Sequence, residues 1–268
     1  MLETAADFAQ IQIARAEIWF LVLMRISFFV FTIPFFSNQI ITPRLKAGFC
    51  GVFSILLIPT LDLHPITFTP GVPSFVYLVF QECLVGAIMG FTFSFMISFV
   101  DLAAESMTRD IGLSTNPAQD PITGEESSQM GQFLLILFGL IFLLNNGHFY
   151  FLQALAQSFH YIPLNEFSWN FEKLVFVWLN LLSQAMITGI QMAFPIMAML
   201  IVTSLGMALM NKVMPNMNVW VVSVPIKIVA GTLVLIYLLP AMVEVFWGYF
   251  QKVQAAILIV MRVGGPNG

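Results

Sequence analysis

The sequence predicts an all-α, polytopic helical membrane-complex protein in which long, kinked helices form hairpins. Of its 268 residues, 59% are hydrophobic and only 9% are charged, whereas a typical globular domain has about 45–50% apolar and about 25% charged residues. The apolar runs are long and unbroken, unlike barrel strands, which alternate over roughly ten residues. The net charge is −4 and the basic residues are scattered, so we expect no nucleic acid partner.

Six apolar runs divide the chain, and each predicts a helix. They cover residues 18–36, 47–63, 75–100, 133–155, 174–210 and 219–263. The first run ends around Pro34, Pro43 precedes the second, and His64-Pro65 follows it. The fourth run ends around Asn145-Asn146-Gly147-His148 or slightly later. The N-terminus lacks a basic segment with a small-residue cleavage site, so we expect no cleaved signal peptide.

The third run carries a groove of small residues. Five positions recur every fourth residue and stack along one helix face: Glu82, Gly86, Gly90, Ser94 and Ser98. Small residues at this spacing let two helix backbones approach closely when no water drives them together. We therefore expect the groove, with an unpaired Glu82 at its end, to receive a partner surface.

A long polar stretch follows the third run. Residues 101–131 contain Pro117, Pro121 and Gly124 together with six acidic residues. A connection of this length is uncommon in a compact domain unless it acts or is disordered.

The fifth run is too long for a plain span. The fifth has about 37 residues and would extend roughly 55 Å as a straight helix, against a hydrocarbon core of about 30 Å. It either bends at Pro195 or lies partly outside lipid, and the sixth run contains Pro225 and Pro240. Basic residues other than Arg25 and Lys227 do not orient the chain. With the N-terminus taken as outside, they divide equally between the two sides of the membrane: Arg44, Lys46, Arg109 and Lys212 inside, and Arg15, Lys173, Lys252 and Arg262 outside.

Four ionisable residues lie within the apolar runs: Arg25, Glu82, Lys227 and Glu244. Each would cost about 2.5–3.5 kcal/mol at a helix centre. They form either a proton or ion path, or pairs with one another or with partner subunits.

Methionine is concentrated late in the chain. Half of the 16 methionines fall within residues 186–217. Flexible thioether side chains suit helix packing or a compliant seal facing a pore. The seal would use Met207, Met210, Met214 and Met217.

The sequence contains no catalytic signature, so we expect neither enzymatic activity nor a metal or cofactor. The best serine-protease candidate would be Ser204 with His148, and nothing distinguishes Ser204 from a packing serine. Both cysteines, Cys50 and Cys83, lie in apolar runs, which predicts buried thiols without a disulfide.

The order of short motifs resembles the FliR-type family of export-gate proteins, found in flagellar and virulence type III secretion. The shared landmarks are Arg25 before Pro34-Phe35-Phe36, Pro43-Arg44, Glu82 with Gly86 and Gly90, residues 101–113, Asp120-Pro121, residues 143–148, Ser158-Phe159, Pro163, residues 214–220 and residues 225–227. The chain departs from the family pattern at Ala103-Ala104, Trp220 and Ser223.

The resemblance implies a non-enzymatic subunit that assembles with FliP and FliQ into the flagellar export gate. Unfolded flagellar subunits would pass through this gate across the bacterial inner membrane, with FlhB and FlhA as further export components. It implies a FliP-like part at residues 1–165 fused to a FliQ-like helical hairpin at residues 166–268. A gate raised largely out of the bilayer, towards the periplasm, would explain why the basic residues do not indicate an orientation of the chain in the membrane.

The resemblance also implies that residues 110–128 form a plug that closes the pore. Apolar side chains at a constriction exclude water and ions. The residues expected to act there are Ile111, Leu113, Asn116, Pro117, Asp120, Pro121 and Ile122. The alternatives are a virulence export gate, an ion-coupled permease that uses the four ionisable residues, and an intramembrane protease.

Overall fold

The computed structural model describes residues 2–33, 42–60, 72–111, 129–164, 170–214 and 219–265. This part of the chain contains seven α-helices, one short 3-10 helix (Ile58–Thr60) and no strand. The helices are α1 (Leu2–Thr32), α2 (Pro43–Leu57), α3 (Val72–Ile111), α4 (Gln129–Leu144), α5 (Gly147–Tyr161), α6 (Phe171–Val213) and α7 (Val219–Gly264). The predicted all-α class is confirmed.

Several helix boundaries differ from the predicted ones. Helix α1 begins at Leu2, before the first apolar run, and α3 continues to Ile111. The first polar residues after the third run, Asp110 among them, are therefore helical rather than part of a loop. Helix α6 continues through Pro195 for 43 residues, about 65 Å. Prolines are tolerated in long apolar helices because neighbouring groups can satisfy the freed carbonyls.

The predicted fourth helix is two helices. Helix α4 ends at Leu144 and α5 begins at Gly147, with a bend of 70° between them. Asn146 adopts a left-handed conformation (φ 57°), which asparagine tolerates better than most residues. A side chain at Gly147 would collide with the ring of Phe142. The NNGH stretch is therefore a corner within the run rather than its end.

Three helices are long and apolar enough to cross a membrane: residues Pro73–Thr108, Phe171–Val213 and Val221–Gly264. The count rises to four if the bent pair α4–α5 is one span. The described helices are those of a polytopic membrane protein, as predicted.

The chain forms two compact units that both draw on early and late segments. Unit 1 comprises Met1–Ser94, His148–Leu179 and Gln254–Gly268, and unit 2 comprises Phe95–Gly147 and Asn180–Val253. The predicted division into two consecutive parts, residues 1–165 and 166–268, is of a different kind, and it stays a prediction.

In unit 1, helices pack around the first half of α3. Helix α1 packs along α3, with Phe20 near Phe75 and Phe29 against Phe93 at ring distances of 6.0 and 5.6 Å. Phe151 of α5 meets the same Phe93 ring at 4.3 Å, edge to face. Ile88 of α3 forms a buried core with Leu174 of α6 and Val260 of α7.

Helix α2 packs against α1 with its polar side inward. Its Lys46 ammonium lies 5.9 Å from the centre of the Phe31 ring, and Cys50 is buried. Burial raises the pKa of the Cys50 thiol, although a hydrogen bond with Ser27 opposes the shift. The prediction that both thiols are buried is wrong for Cys83, which is half-buried; both cysteines are free.

In unit 2, aromatic contacts join α7 to α3 and α4. Tyr249 meets Phe99 of α3 at a ring distance of 4.6 Å. Phe246 stacks on Phe138 of α4 at 4.9 Å. The Tyr249 hydroxyl donates to the Leu181 carbonyl of α6 at 3.1 Å, which ties the two long helices together.

Candidate functional site

A buried ion pair joins α1 to α3. Arg25 is completely buried and Glu82 is 3% exposed. The Arg25 Nε–H donates to Glu82 Oε2 at 2.5 Å. The expectation that Glu82 lacks a partner within this chain is wrong. The two charged residues are 57 positions apart in the chain, so no local sequence pattern predicts that they pair.

The same arginine reaches a third segment. Its Nη1 donates to the Ile162 carbonyl at 3.0 Å and to Ser158 Oγ at 3.4 Å, and the guanidinium lies 4.3 Å from the centre of the Phe159 ring. Among the described residues, Nη2 has no hydrogen-bond partner. Arg25 thus ties α1, α3 and the end of α5. Such a pair holds helices in place, and removing one member leaves an uncompensated buried charge.

The small-residue groove of α3 is occupied by α1. A Cβ at Gly86 would collide with the Arg25 carbonyl oxygen, and one at Gly90 would lie 2.8 Å from the Phe29 carbonyl oxygen. The predicted close backbone approach is therefore present. The expected occupant was a partner surface, and the structure places this chain's own first helix there.

The C-terminal part of the predicted groove, at Ser94 and Ser98, is less buried than the part at Gly86 and Gly90. Ser94 is half-buried, and its hydroxyl donates to the Phe91 carbonyl at 2.6 Å. Ser98 is exposed. The five groove residues therefore share a helix face but not one environment.

A second close approach of two helices, which the sequence did not predict, lies in unit 2. A Cβ at Gly189 of α6 would lie 2.9 Å from the Phe99 carbonyl oxygen of α3. Ala185 and Ala193 flank Gly189 at four-residue spacing, and both are buried. This is the signal that revealed the α3 groove.

Trp178 and Thr92, 86 positions apart in the chain, are joined by a 3.0 Å hydrogen bond that the sequence did not predict. Ser158 and Phe159 were identified as family landmarks, but their contact with Arg25 was not foreseen.

Helix α7 carries the other two ionisable residues. Lys227 is half-buried and Glu244 is exposed. Neither is enclosed as Arg25 and Glu82 are.

The predicted methionine seal and plug are described only in part. Met207 is buried, Met210 and Met214 are exposed, and Met217 lies outside the described residues. Ile111 is the last residue of α3. The other plug residues also lie outside the described part of the chain: Leu113, Asn116, Pro117, Asp120, Pro121 and Ile122.

The two residues of the protease alternative show no catalytic contact within the described residues. The Ser204 hydroxyl donates to the Leu200 carbonyl of its own helix at 2.8 Å. The Nδ1 atom of His148 has no hydrogen-bond partner there. A nucleophilic serine is activated by a hydrogen bond to its base, and these contacts are those of packing residues.

Comparison with known proteins identifies related chains. The model of the family described as bacterial export proteins, family 1, matches residues 16–253. The chain is 30% identical to flagellar biosynthetic protein FliR of Bacillus subtilis (strain 168), over 81% of this chain and 83% of that protein. It is 25% identical to FliR of Escherichia coli (strain K12), over 84% and 85%. It is 24% identical to surface presentation of antigens protein SpaR of Shigella flexneri, over 87% of each chain.

Proposed function

Because the chain belongs to the bacterial export proteins, family 1, we propose that it is a core, non-enzymatic subunit of the flagellar type III protein export gate. With FliP and FliQ it forms the channel through which unfolded flagellar subunits cross the inner membrane. FlhB and FlhA are neighbouring export components. The subunit belongs to the flagellar basal body, and much of it is raised to the periplasmic side.

The family match across most of the chain carries this proposal. The distribution of apolar surface supports it. In the most apolar stretches of α6 and α7, 28% and 11% of the residues are buried. Surface of this kind needs lipid or other protein chains to cover it.

Within the gate, residues 1–165 act as the FliP-like part and residues 166–268 as the FliQ-like hairpin. The contact of Tyr249 on α7 with the Leu181 carbonyl of α6 supports a hairpin of these two helices. Residues 110–128 act as the plug, and the methionines of residues 207–217 contribute a compliant seal.

Three observations bear on the alternatives. The identity of 30% to a FliR favours the flagellar system. The virulence system is the second candidate, because SpaR matches 87% of the chain at 24% identity. Arg25 and Glu82 form a closed pair rather than a line of separate carrier groups, which disfavours an ion-coupled permease.

Purification of the tagged chain from its own bacterium in mild detergent tests the proposal. We expect FliP and FliQ to co-purify, and we expect deletion of the gene to abolish motility. Expressed without these partners, the chain should aggregate or be degraded. An abundant, monodisperse monomer with no co-purifying export protein, together with normal motility of the deletion strain, would contradict the proposal.

A further inference from the structure

The beginning of α6 is attached to α3 by a tryptophan. The Trp178 indole N–H donates to Thr92 Oγ1 at 3.0 Å. The Thr92 hydroxyl in turn donates to the Ile88 carbonyl of its own helix at 2.8 Å, and Thr92 is completely buried. The Phe91 ring meets the Trp178 ring edge to face at 4.9 Å. One indole therefore makes both a polar and an aromatic contact with the same turn of α3.

The other contacts in this region are apolar. Leu174 of α6 packs with Ile88 and Val260, and Val177 covers that core. The stabilisation from apolar packing is roughly proportional to the apolar area buried and has no preferred direction. A hydrogen bond is directional and weakens steeply when its angle departs from linearity. The Trp178–Thr92 bond is thus a contact that can fix the rotation of α6 about its own axis.

The rotation of α6 decides which residues it presents outward. Val175, Phe176 and Leu179 are exposed, whereas Leu174 is buried. Neighbouring positions on a helix lie about 100° apart, so a turn through part of that angle would begin to expose Leu174 and to bury residues at one edge of the exposed set.

We propose that Trp178 is a positioning residue: through Thr92 it sets the rotation of α6 on α3, and thereby the apolar face that α6 offers to neighbouring subunits. The second half of this statement rests on the proposed function. The first half concerns the chain alone.

Cysteine alkylation tests the rotation in the full-length chain purified with its partners. Both native cysteines are replaced by alanine, and a single cysteine is placed at Leu174. In the otherwise unchanged chain this cysteine should react slowly, because Ile88 and Val260 cover it. In T92V and in W178F we expect about a fivefold faster reaction, which is the population ratio that corresponds to a lost hydrogen bond of about 1 kcal/mol.

The double variant T92V/W178F identifies the bond itself. If the two residues act through one hydrogen bond, the double variant should react no faster than the more reactive single variant. The matched control is T203V. It removes a hydroxyl that donates to the Met199 carbonyl of the same helix at 2.9 Å, and it should leave the rate at residue 174 unchanged.

The amount of FliP and FliQ that co-purifies with each variant is the second readout. We expect it to fall in T92V and W178F and to stay normal in T203V. Unchanged alkylation at residue 174 in both T92V and W178F would overturn the proposal. So would additive effects in the double variant. If instead the unmodified chain captures no FliP or FliQ, the proposed function fails, while the alkylation result still decides whether Trp178 sets the rotation.

Discussion

Helices α3 and α7 are both long and apolar, yet their most apolar stretches are buried to very different extents. In the most apolar stretch of α3, 61% of the residues are buried, against 11% in α7. The polar and small residues of α3 contact other parts of the same chain: Glu82 pairs with Arg25, and Gly86 and Gly90 allow α1 to pack closely. Helix α7 leaves Leu233, Ile236 and Tyr237 exposed.

Two helices of similar composition, α3 and α7, therefore have different roles. Helix α3 organises the fold, so substitutions there should act on the stability of the chain. The most apolar stretch of α7 has little of its own chain to pack against, although Tyr249 and Val260 of the same helix are buried. Substitutions at the exposed positions Leu233 and Tyr237 should therefore act on contacts with other molecules.

The largest effect is expected at the ion pair. Glu82→Leu leaves the Arg25 charge buried without its partner, at a cost of about 3–5 kcal/mol, so the chain should be lost from membranes on immunoblots. Glu82→Gln keeps a hydrogen-bond acceptor and should be milder in abundance and in motility. Glu244→Leu, at an exposed site on α7, is the control and should leave abundance unchanged. Equal loss of export in the Gln and Leu variants, at normal abundance, would instead indicate a proton-relay group.

A smaller effect is expected from filling the groove. Gly90→Leu would force a side chain against the Phe29 carbonyl oxygen, and overpacking of this kind costs about 1–3 kcal/mol. The yield of assembled complex should fall. Gly248→Leu is a matched control on α7, because a Cβ there would have no neighbour within 4 Å. Normal yield of complex with Gly90→Leu would contradict the close approach of α1 and α3.

Shortening the predicted plug should change permeability without a large effect on stability. Deletion within residues 114–126 should leave the complex assembled and make the membrane leaky to ions, because the apolar side chains of the plug exclude water. Ion flux into vesicles that contain the purified complex measures the effect. An assembled deletion variant that remains impermeable would place the seal elsewhere, with the methionines of residues 207–217 as the next candidate.

The smallest effect concerns Cys50. Burial raises the pKa of its thiol above the ordinary value, so at neutral pH the thiolate fraction is low and should increase only as the pH rises through that higher pKa. Alkylation in a Cys83→Ala chain should be slow in mild detergent and fast after unfolding in SDS. Equal rates in the two detergents would show that α2 does not bury this residue against α1.

The sequence predicted the class, most of the long helices and the groove, because apolar length and four-residue spacing are local properties. It did not predict the partner of Glu82, since Arg25 lies 57 positions away and nothing local records which helices pack together. The NNGH stretch was interpreted as a helix end because Asn and Gly favour both termini and corners. Gly189 carried the same spacing signal as Gly90, but its run was interpreted only by its length.

Site-specific photo-crosslinking in growing cells tests the contrast between α3 and α7 most directly. A photoreactive phenylalanine is placed at the exposed position Leu233 or Tyr237 of α7, and at the buried position Phe93 of α3. We predict adducts with FliP or FliQ from the α7 positions and no adduct with another protein from Phe93. Adducts with another subunit from Phe93, or none from either α7 position in cells that assemble flagella, would contradict the account.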